Sequence, residues 1–314
     1  MKKISFVIPC YRSERTLPKV IAEINETMPG LASEYSYEIV LVNDCSPDNT
    51  YGTIEDLAKA QDNILGIDLA KNAGQHAALM AGLRQTTGDI IVCLDDDGQT
   101  PANEVGKLIK ELVDNDQDVV YARYASKKHS FFRNFGSWIN ERMLRLLLNK
   151  PRELYMGSYF AAKRFVIDEM VRYDKSYPYL MGLALRTTKR ISNVEVNHRD
   201  REIGNSGYTI GKLLTLWMNG FTAFSVTPLR LSTYMGTVFA IIGFIYGIYT
   251  IIKHFVVALA PMGYDSLMSA LMFIGGVIML MLGLVGEYIG RMYIGINNAP
   301  QYVIRSRTDE EANA

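Results

Sequence analysis

Two stretches near the end of the sequence, Leu231 to Ile252 and Ser266 to Gly286, contain no charged residue. At ~1.5 Å rise per residue each covers ~30 Å of hydrocarbon, and neither keeps the polar stripe of a helix packed in a water-soluble domain. Both read as transmembrane helices, so the chain is divided between a membrane hairpin and whatever precedes it. The connection around Pro261 and Asp265 lacks Lys and Arg, while Lys253 and His254 end the first run and can snorkel outward. Arg230 precedes the first run, and Arg291, Arg305 and Arg307 follow the second. The positive-inside rule then places the N-terminal region and the C-terminal tail together in the cytoplasm.

The first two-thirds of the chain alternates two periods. Lys3 to Pro9, Glu38 to Asn43, Ile64 to Ala70, Asp89 to Leu94 and Asp118 to Ala122 are apolar, largely β-branched runs that predict strands. Helix-length amphipathic segments separate the first four, the pattern of an α/β domain with a mostly parallel sheet. Ser46, Asp48, Asn49 and Thr50 offer N-cap oxygens before one helix, and Pro101 and Glu104 open another. The N-terminus, MKKISFVIP, is apolar for too few residues to be a signal-peptide core and reads as the first strand. With 33 basic and 33 acidic residues the net charge is zero, which leaves no global field to draw in nucleic acid. Cys10, Cys45 and Cys93 are far apart and two fall in or beside predicted strands, which suits reduced core thiols rather than disulfides or a zinc site.

Chemistry concentrates at Gly88 to Pro101, GDIIVCLDDDGQTP. The apolar run from Ile90 to Leu94 reads as a central strand buried on both faces, and it delivers Asp95, Asp96 and Asp97 to the rim where open α/β sheets bind ligands. Carboxylates at i and i+2 on such a turn can converge on a hard cation, Mg²⁺ or Mn²⁺. An EF-hand is excluded, because the twelfth loop position counted from any of the three is Gly106, Lys107 or Leu108 and none is the required Glu. Farther on, Phe131 to Lys150 mixes aromatic and aliphatic residues with Arg133, Arg142 and Arg145, the composition of a helix lying in a membrane interface. Tyr208 to Leu229 has Lys212 as its only charge and leads into the first uncharged run. The expected layout is a catalytic core over residues 1–130, acceptor-side and interfacial helices over 131–228, a two-helix transmembrane hairpin over 229–292 and a cytoplasmic tail over 293–314. His76, His129, His198 and His254 have no mutual spacing that suggests a metal cluster and read as structural.

Five motifs follow one another at the ends of successive elements: IPCYRSE from Ile8, VNDCSPDNT from Val42, KNAGQHAALMAGL from Lys71, LDDDGQTP from Leu94 and REIGNSGY from Arg201. With GEYIGRMY from Gly286, the set resembles the inverting family 2 glycosyltransferases of the GT-A (Rossmann-like) fold, and within them the polyprenyl-phosphate glycosyltransferases. The likeness runs from Ile4 to about Tyr302. From Tyr155 to Gly236, with YMGSYFAAKR and TPLR as local matches, it is similar to the branch that loads undecaprenyl phosphate with a modified arabinose.

The resemblance implies roles for individual residues. Pro9, Tyr11 and Glu14 would belong to the first nucleotide loop. Asp44 would accept from the base ring, with Ser46 beside it, and Asn72 and Gly74 would start the helix whose amino end approaches the nucleotide. Asp95 would hold the ribose side, Asp97 the metal, and Asp96 would complete the donor-binding run; Asp95 would share the metal, and Gln99 would line the sugar side. Arg201 and Ser206 would contact the donor diphosphate. Arg123, Arg133 and Ser137 would hold the acceptor phosphate; Arg133 and Ser137 are four apart and share a helical face. Arginine suits phosphate through its planar fork. Three positions depart from the family's habit: Gly207 where Lys is common, Cys45 where Gly is usual and Arg12 where Asn is common.

The implied reaction is one displacement, in which a phosphate oxygen of a polyprenyl monophosphate attacks the anomeric carbon of a nucleotide sugar, with UDP favoured by the resemblance. A phosphate is already anionic at neutral pH, so no dedicated general base is expected. The implied location is the inner (cytoplasmic) membrane, with several passes, both termini cytoplasmic and a homo-oligomer admissible. Three other functions compete. A processive polysaccharide synthase would carry Q-x-x-R-W, but Trp138 and Trp217 follow Ser137 and Leu216. A nucleotidyltransferase would need a basic glycine-rich loop near the first strand, and CYRSERTL has no glycine. A non-catalytic, nucleotide-binding membrane scaffold is separable only by assay.

Overall fold

The computed structural model of the protein describes residues 1–124, 150–151, 153–197, 264–296 and 300–311, with scattered helical positions between Tyr234 and Ile252. It divides into two units, Met1–Leu214 with Asn298–Ala314, and Thr215–Asn297.

The first unit is built on an eight-stranded sheet in the order β7-β5-β6-β4-β1-β2-β3-β8. Its strands are β1 (Lys2–Cys10), β2 (Tyr35–Asn43), β3 (Ile64–Leu69), β4 (Ile90–Cys93), β5 (Val119–Tyr124), β6 (Phe160–Lys163), β7 (Ile191–Val196) and β8 (Ile304–Arg307). β4, β1, β2 and β3 run parallel, as the four leading apolar runs predict. They are covered on both faces, and the residues Ile4 to Cys10 are all buried. Helix α1 (Leu17–Thr27) buries Leu17, Val20, Ile21 and Ile24, and α4 (Val105–Asp114) buries Val105, Leu108, Ile109 and Leu112. Both sets have the i, i+3, i+4, i+7 spacing of one helical face, so each helix seals the sheet with a single apolar stripe. Helix α2 (Thr50–Ala60) lies between β2 and β3, with Asn49 at its N-cap position making no side-chain cap bond. Asp48 serves instead, accepting from Thr50 Oγ1 at 2.6 Å and from the Thr50 amide at 3.4 Å.

The helix after β3 departs from the expected amphipathic pattern. α3 (Gln75–Leu83) is buried at every position from Ala77 to Leu83. A Cβ on Gly82 would stand 2.5 Å from Val7 Cγ1, so the small residue lets the helix press onto the sheet. Residues grouped by sequence with the acceptor-side helices also add to the sheet. β6 enters antiparallel between β4 and β5, and β7 extends it parallel to β5. Between them lie α5 (Arg164–Val171) and α6 (Leu180–Thr187). The expected tail supplies β8, which pairs antiparallel with β3 and is followed by a helical turn, Thr308–Glu311. Cys10, Cys45 and Cys93 are free thiols, Cys10 and Cys93 buried in the core.

In the second unit, α7 (Tyr264–Ile296) is long and apolar enough over Phe273–Gly290 to cross a membrane, with none of that window buried. Among the described residues it is the one helix of that kind, where two were expected. In the Leu231–Ile252 run the described positions, Tyr234 and Ile252 among them, are helical and exposed. The expected interfacial helices, Phe131 to Lys150 and Tyr208 to Leu229, lie outside the described residues apart from Lys150.

Candidate active site

The chain leaves β1 for β2 and β3 on one side, then returns to β4 on the other. The carboxyl ends of β1 and β4 therefore flank a topological switch point, where open α/β sheets form a ligand crevice. The acidic run after β4 faces the loop after β1 across it. Asp96 accepts from the Tyr11 amide at 3.0 Å and from the Ser13 hydroxyl. Ser13 is buried, and its amide donates to Thr50 Oγ1 at 2.9 Å at the start of α2. Asp96 thus ties the first rim loop down and leaves its neighbours for other work.

Asp95 accepts from Gln75 Nε2 at 2.8 Å and from the Ser158 hydroxyl just before β6. Burial pushes its carboxyl up to about 6, and the charges of Asp97 and Asp96 push the same way against the two hydrogen bonds. Asp96 is also raised, first by burial and then by Asp97, against bonds from Ser13 and Tyr11. Asp97 Oδ1 receives the Gln99 amide at 3.1 Å, which folds the turn back on itself with Gly98 at φ 73°. Among the described residues no three His, Cys, Asp or Glu side chains group as a metal cage. The fit to Mg²⁺ or Mn²⁺ is instead that of a rim site: adjacent hard oxygen donors whose mutual repulsion a divalent ion relieves, with coordination positions left for phosphate.

Asp44, directly after β2, is buried at 4% exposure. Its Oδ1 accepts from the Ala73 amide at 2.6 Å and its Oδ2 from the Gly74 amide at 2.9 Å, while Asn72 Nδ2 donates to the Asp44 carbonyl at 3.0 Å. An acid at the amino end of α3 is favoured by the helix dipole and the free N–H groups there. Burial nevertheless outweighs the two bonds and raises its carboxyl above the usual range. Each oxygen keeps a second lone pair, so Asp44 can still accept from a base ring. Gly74 stands at φ 85°, a conformation that an L side chain would strain.

Arg12 and Cys45 are at φ 60° and 49°. These are two positions where the resembled family prefers Asn and Gly, and both residue types suit left-handed backbone. Two of the three departures noted in the sequence therefore fall on strained corners of the rim. The Arg12 amide donates to Ser46 Oγ at 2.8 Å, its guanidinium lies 5.6 Å from the Tyr11 ring centroid, and Ser46 Oγ donates to Asp48.

The structure thus brings Tyr11, Asp44, Ser46, Asn72, Gly74, Asp95, Asp96, Asp97 and Gln99 to one rim. Pro9 is buried within β1, and Glu14 is exposed, its backbone amide turned to Asp48. Arg123 is exposed near the end of β5, in register with Glu195 of β7. Arg133, Ser137, Arg201 and Ser206 lie outside the described residues. Sequence reasoning missed Ser13, Gln75 and Ser158, which hold the acidic run. All three sit inside motifs already marked, IPCYRSE, KNAGQHAALMAGL and YMGSYFAAKR, so polar residues beside the named ones were the available signal.

Residues 5–171 match the family model of glycosyl transferase family 2, and residues 227–292 match that of the GtrB C-terminal hairpin. Undecaprenyl-phosphate 4-deoxy-4-formamido-L-arabinose transferase of Proteus mirabilis (strain HI4320) is 34% identical over 97% of this chain and 94% of its own length. The protein of the same name from Serratia proteamaculans (strain 568) is 31% identical over 100% of this chain and 96% of its own. A crystal structure of glucosyl-3-phosphoglycerate synthase from Mycobacterium tuberculosis, in complex with Mn²⁺ and UDP-glucose, aligns at 19% identity with a TM-score of 0.53. It covers 70% of this chain and 77% of that one, a likeness of fold.

Proposed function

Because the chain belongs to glycosyl transferase family 2, we propose that it moves a sugar from a UDP-linked donor to a polyprenyl phosphate with inversion, the acceptor class that its relatives' names state. The observation that carries this reading is the switch-point rim, where Asp44 follows β2 and the Asp95–Asp97 run follows β4, the two strands that flank β1. Asp44 takes the base, Asp95 the ribose side and Gln99 the sugar side. Asp97, with Asp95, would hold Mg²⁺ or Mn²⁺. When bound, such an ion neutralises charge that develops on the departing diphosphate.

The chain's own residues position the two substrates. Ser158 and Gln75 fix Asp95, and Asp96 fixes the loop bearing Tyr11. In the displacement a phosphate oxygen of the acceptor forms the new bond to the anomeric carbon as the bond to the diphosphate breaks and its electron pair leaves with the nucleotide. The attacking oxygen is already anionic, so no side chain need remove a proton. Arg123, Arg133 and Ser137 hold the acceptor phosphate, and Arg201 and Ser206 the donor diphosphate. We assign the enzyme to the inner membrane, with two crossings and its catalytic domain in the cytoplasm.

The test is transfer of radiolabel from a panel of UDP-sugars, including the 4-deoxy-4-formamido-L-arabinose compound, into a butanol-soluble lipid fraction. Transfer should require polyprenyl phosphate and a divalent ion, and Asp97→Ala should abolish it in a folded protein. Full activity in EDTA, or no labelled lipid from any donor, would sink the proposal.

A further inference from the structure

The donor rim is wired to the last strand of the chain. β8 pairs with β3 through Asp68↔Ser306 and Leu69↔Ile304, and the register shift between these pairs leaves Arg305 as the extra residue of a bulge. A bulge re-aims the side chain it carries. Arg305 Nη1 donates to Asp68 Oδ2 at 3.2 Å and Nη2 donates to the Ala70 carbonyl at 3.1 Å. Asp68 is buried at 4% exposure, and its other oxygen, Oδ1, accepts from Asn43 Nδ2 at 2.6 Å. Asn43, equally buried, turns its own Oδ1 to the Ser46 amide at 3.2 Å. Ser46 is the residue whose hydroxyl receives the Arg12 amide. Four side chains or amides thus run without a break from β8 to the turn that carries Asp44 and Cys45.

Each link is fixed by what it would cost to break. Asn43 has one amide group, so its Nδ2 must face an acceptor for its Oδ1 to face the Ser46 amide. Asp68 supplies that acceptor, and Arg305 neutralises and orients Asp68 from the opposite side. Without the guanidinium, a buried carboxylate would have to find another donor, and turning toward one would release Asn43. The rest of the C-terminal segment is firmly held: Gln301 Nε2 donates to the Tyr173 and Lys175 carbonyls, Tyr51 and Ser306 share a hydrogen bond at 3.0 Å, and Thr308 Oγ1 accepts from the Gly66 amide at 2.9 Å. Losing Arg305 alone therefore leaves β8 in place.

We infer that Arg305 is a positioning residue for the donor nucleotide, acting through Asp68 and Asn43 on the turn after β2. This rests on that turn binding the nucleotide, and the experiment separates the two ideas. Full-length protein in detergent is titrated calorimetrically with UDP and Mn²⁺, alongside thermal melting and initial rates against polyprenyl phosphate. Arg305→Ala should weaken UDP binding about tenfold, the size of one lost hydrogen bond to a charged group, with KM for the lipid unchanged. Arg305→Lys keeps the charge beside Asp68 but not the fork that also reaches Ala70, and should weaken binding about threefold. Asn43→Ala combined with Arg305→Ala should bind no worse than Asn43→Ala alone, because both cut the same chain. Normal UDP affinity with a lowered melting temperature would make Arg305 merely structural and overturn the inference. Should Arg305→Ala not fold, unchanged affinity in Arg305→Lys does the same. A wild-type protein that takes up no UDP overturns the donor site itself, and the inference with it.

Discussion

Replacing Asp44 by asparagine separates what that side chain does for the fold from what it does for the donor. Asparagine keeps the shape and one oxygen, so one of the two backbone amides, Ala73 or Gly74, retains its acceptor and the other meets an NH₂ group. Losing a hydrogen bond to a charged acceptor costs ~1.5–3 kcal/mol. Against this, Asp44 is buried and its carboxyl is raised by that burial despite both bonds, so the folded protein holds the charge at a cost. A neutral residue removes that cost, so the fold should lose less than the bond alone is worth. The donor has no such offset. A base N–H that meets a neutral carboxamide instead of a carboxylate loses a charge-assisted bond, a fall of at least ~10-fold in affinity. Calorimetric titration of Asp44→Asn with UDP and Mn²⁺, paired with thermal melting, reads both quantities. A melting temperature many degrees lower with normal UDP affinity would refute the reasoning and make Asp44 a brace for α3 alone.

Burial lowers His76 to about 4, and its Nδ1 has no hydrogen-bond partner among the described residues. The unfolded chain takes up that proton near pH ~6.5, so the stability is present above this value and falls as pH drops toward the folded value, by ~2 kcal/mol at pH 5. His76→Gln should flatten the decline in melting temperature between pH 7 and 5, and an unaltered slope would count against it. At φ 49°, Cys45→Gly should stabilise by up to ~1 kcal/mol and Cys45→Val should destabilise by ~1–2 kcal/mol, as melting curves would show. Arg133→Ala should raise KM for polyprenyl phosphate ~10-fold and spare UDP affinity, with Arg133→Lys recovering part. Lost UDP affinity with normal lipid saturation would move Arg133 to the donor diphosphate.

The parallel heart of the sheet was legible because it is buried on both faces, which forces continuous apolar runs such as Ile90 to Leu94. Three strands outside that heart were not. β6 is four residues long, β8 reads IRSR, and the half-exposed ISNVEV of β7 mixes polar and apolar residues, so none of the three offers a run that separates strand from loop. α3 lost its amphipathic period because it too is covered all round. At the rim, the position of Asp95 to Asp97 was legible from the strand that precedes them, whereas Asp44 was singled out only through the family resemblance. The residues that hold them were not, since Ser158 reaches Asp95 only because β6 is inserted antiparallel beside β4. Nor could any local pattern join Arg305 to Asp68, because the bulge that aims it exists only once β8 has paired.

That pairing also counts membrane crossings. β3 and β8 exchange hydrogen bonds, so residues 64–69 and 304–307 share one compartment. Any chain that leaves a compartment and returns to it traverses the bilayer an even number of times. α7 on its own would make the number odd. A crossing by α7 therefore obliges another between residues 198 and 263, and Leu231 to Ile252 is the uncharged run long enough to make it. Charge bias in loops sets such an orientation only by preference during insertion. Here a folded sheet closes the circuit, and an odd number of crossings would mean tearing β8 from β3.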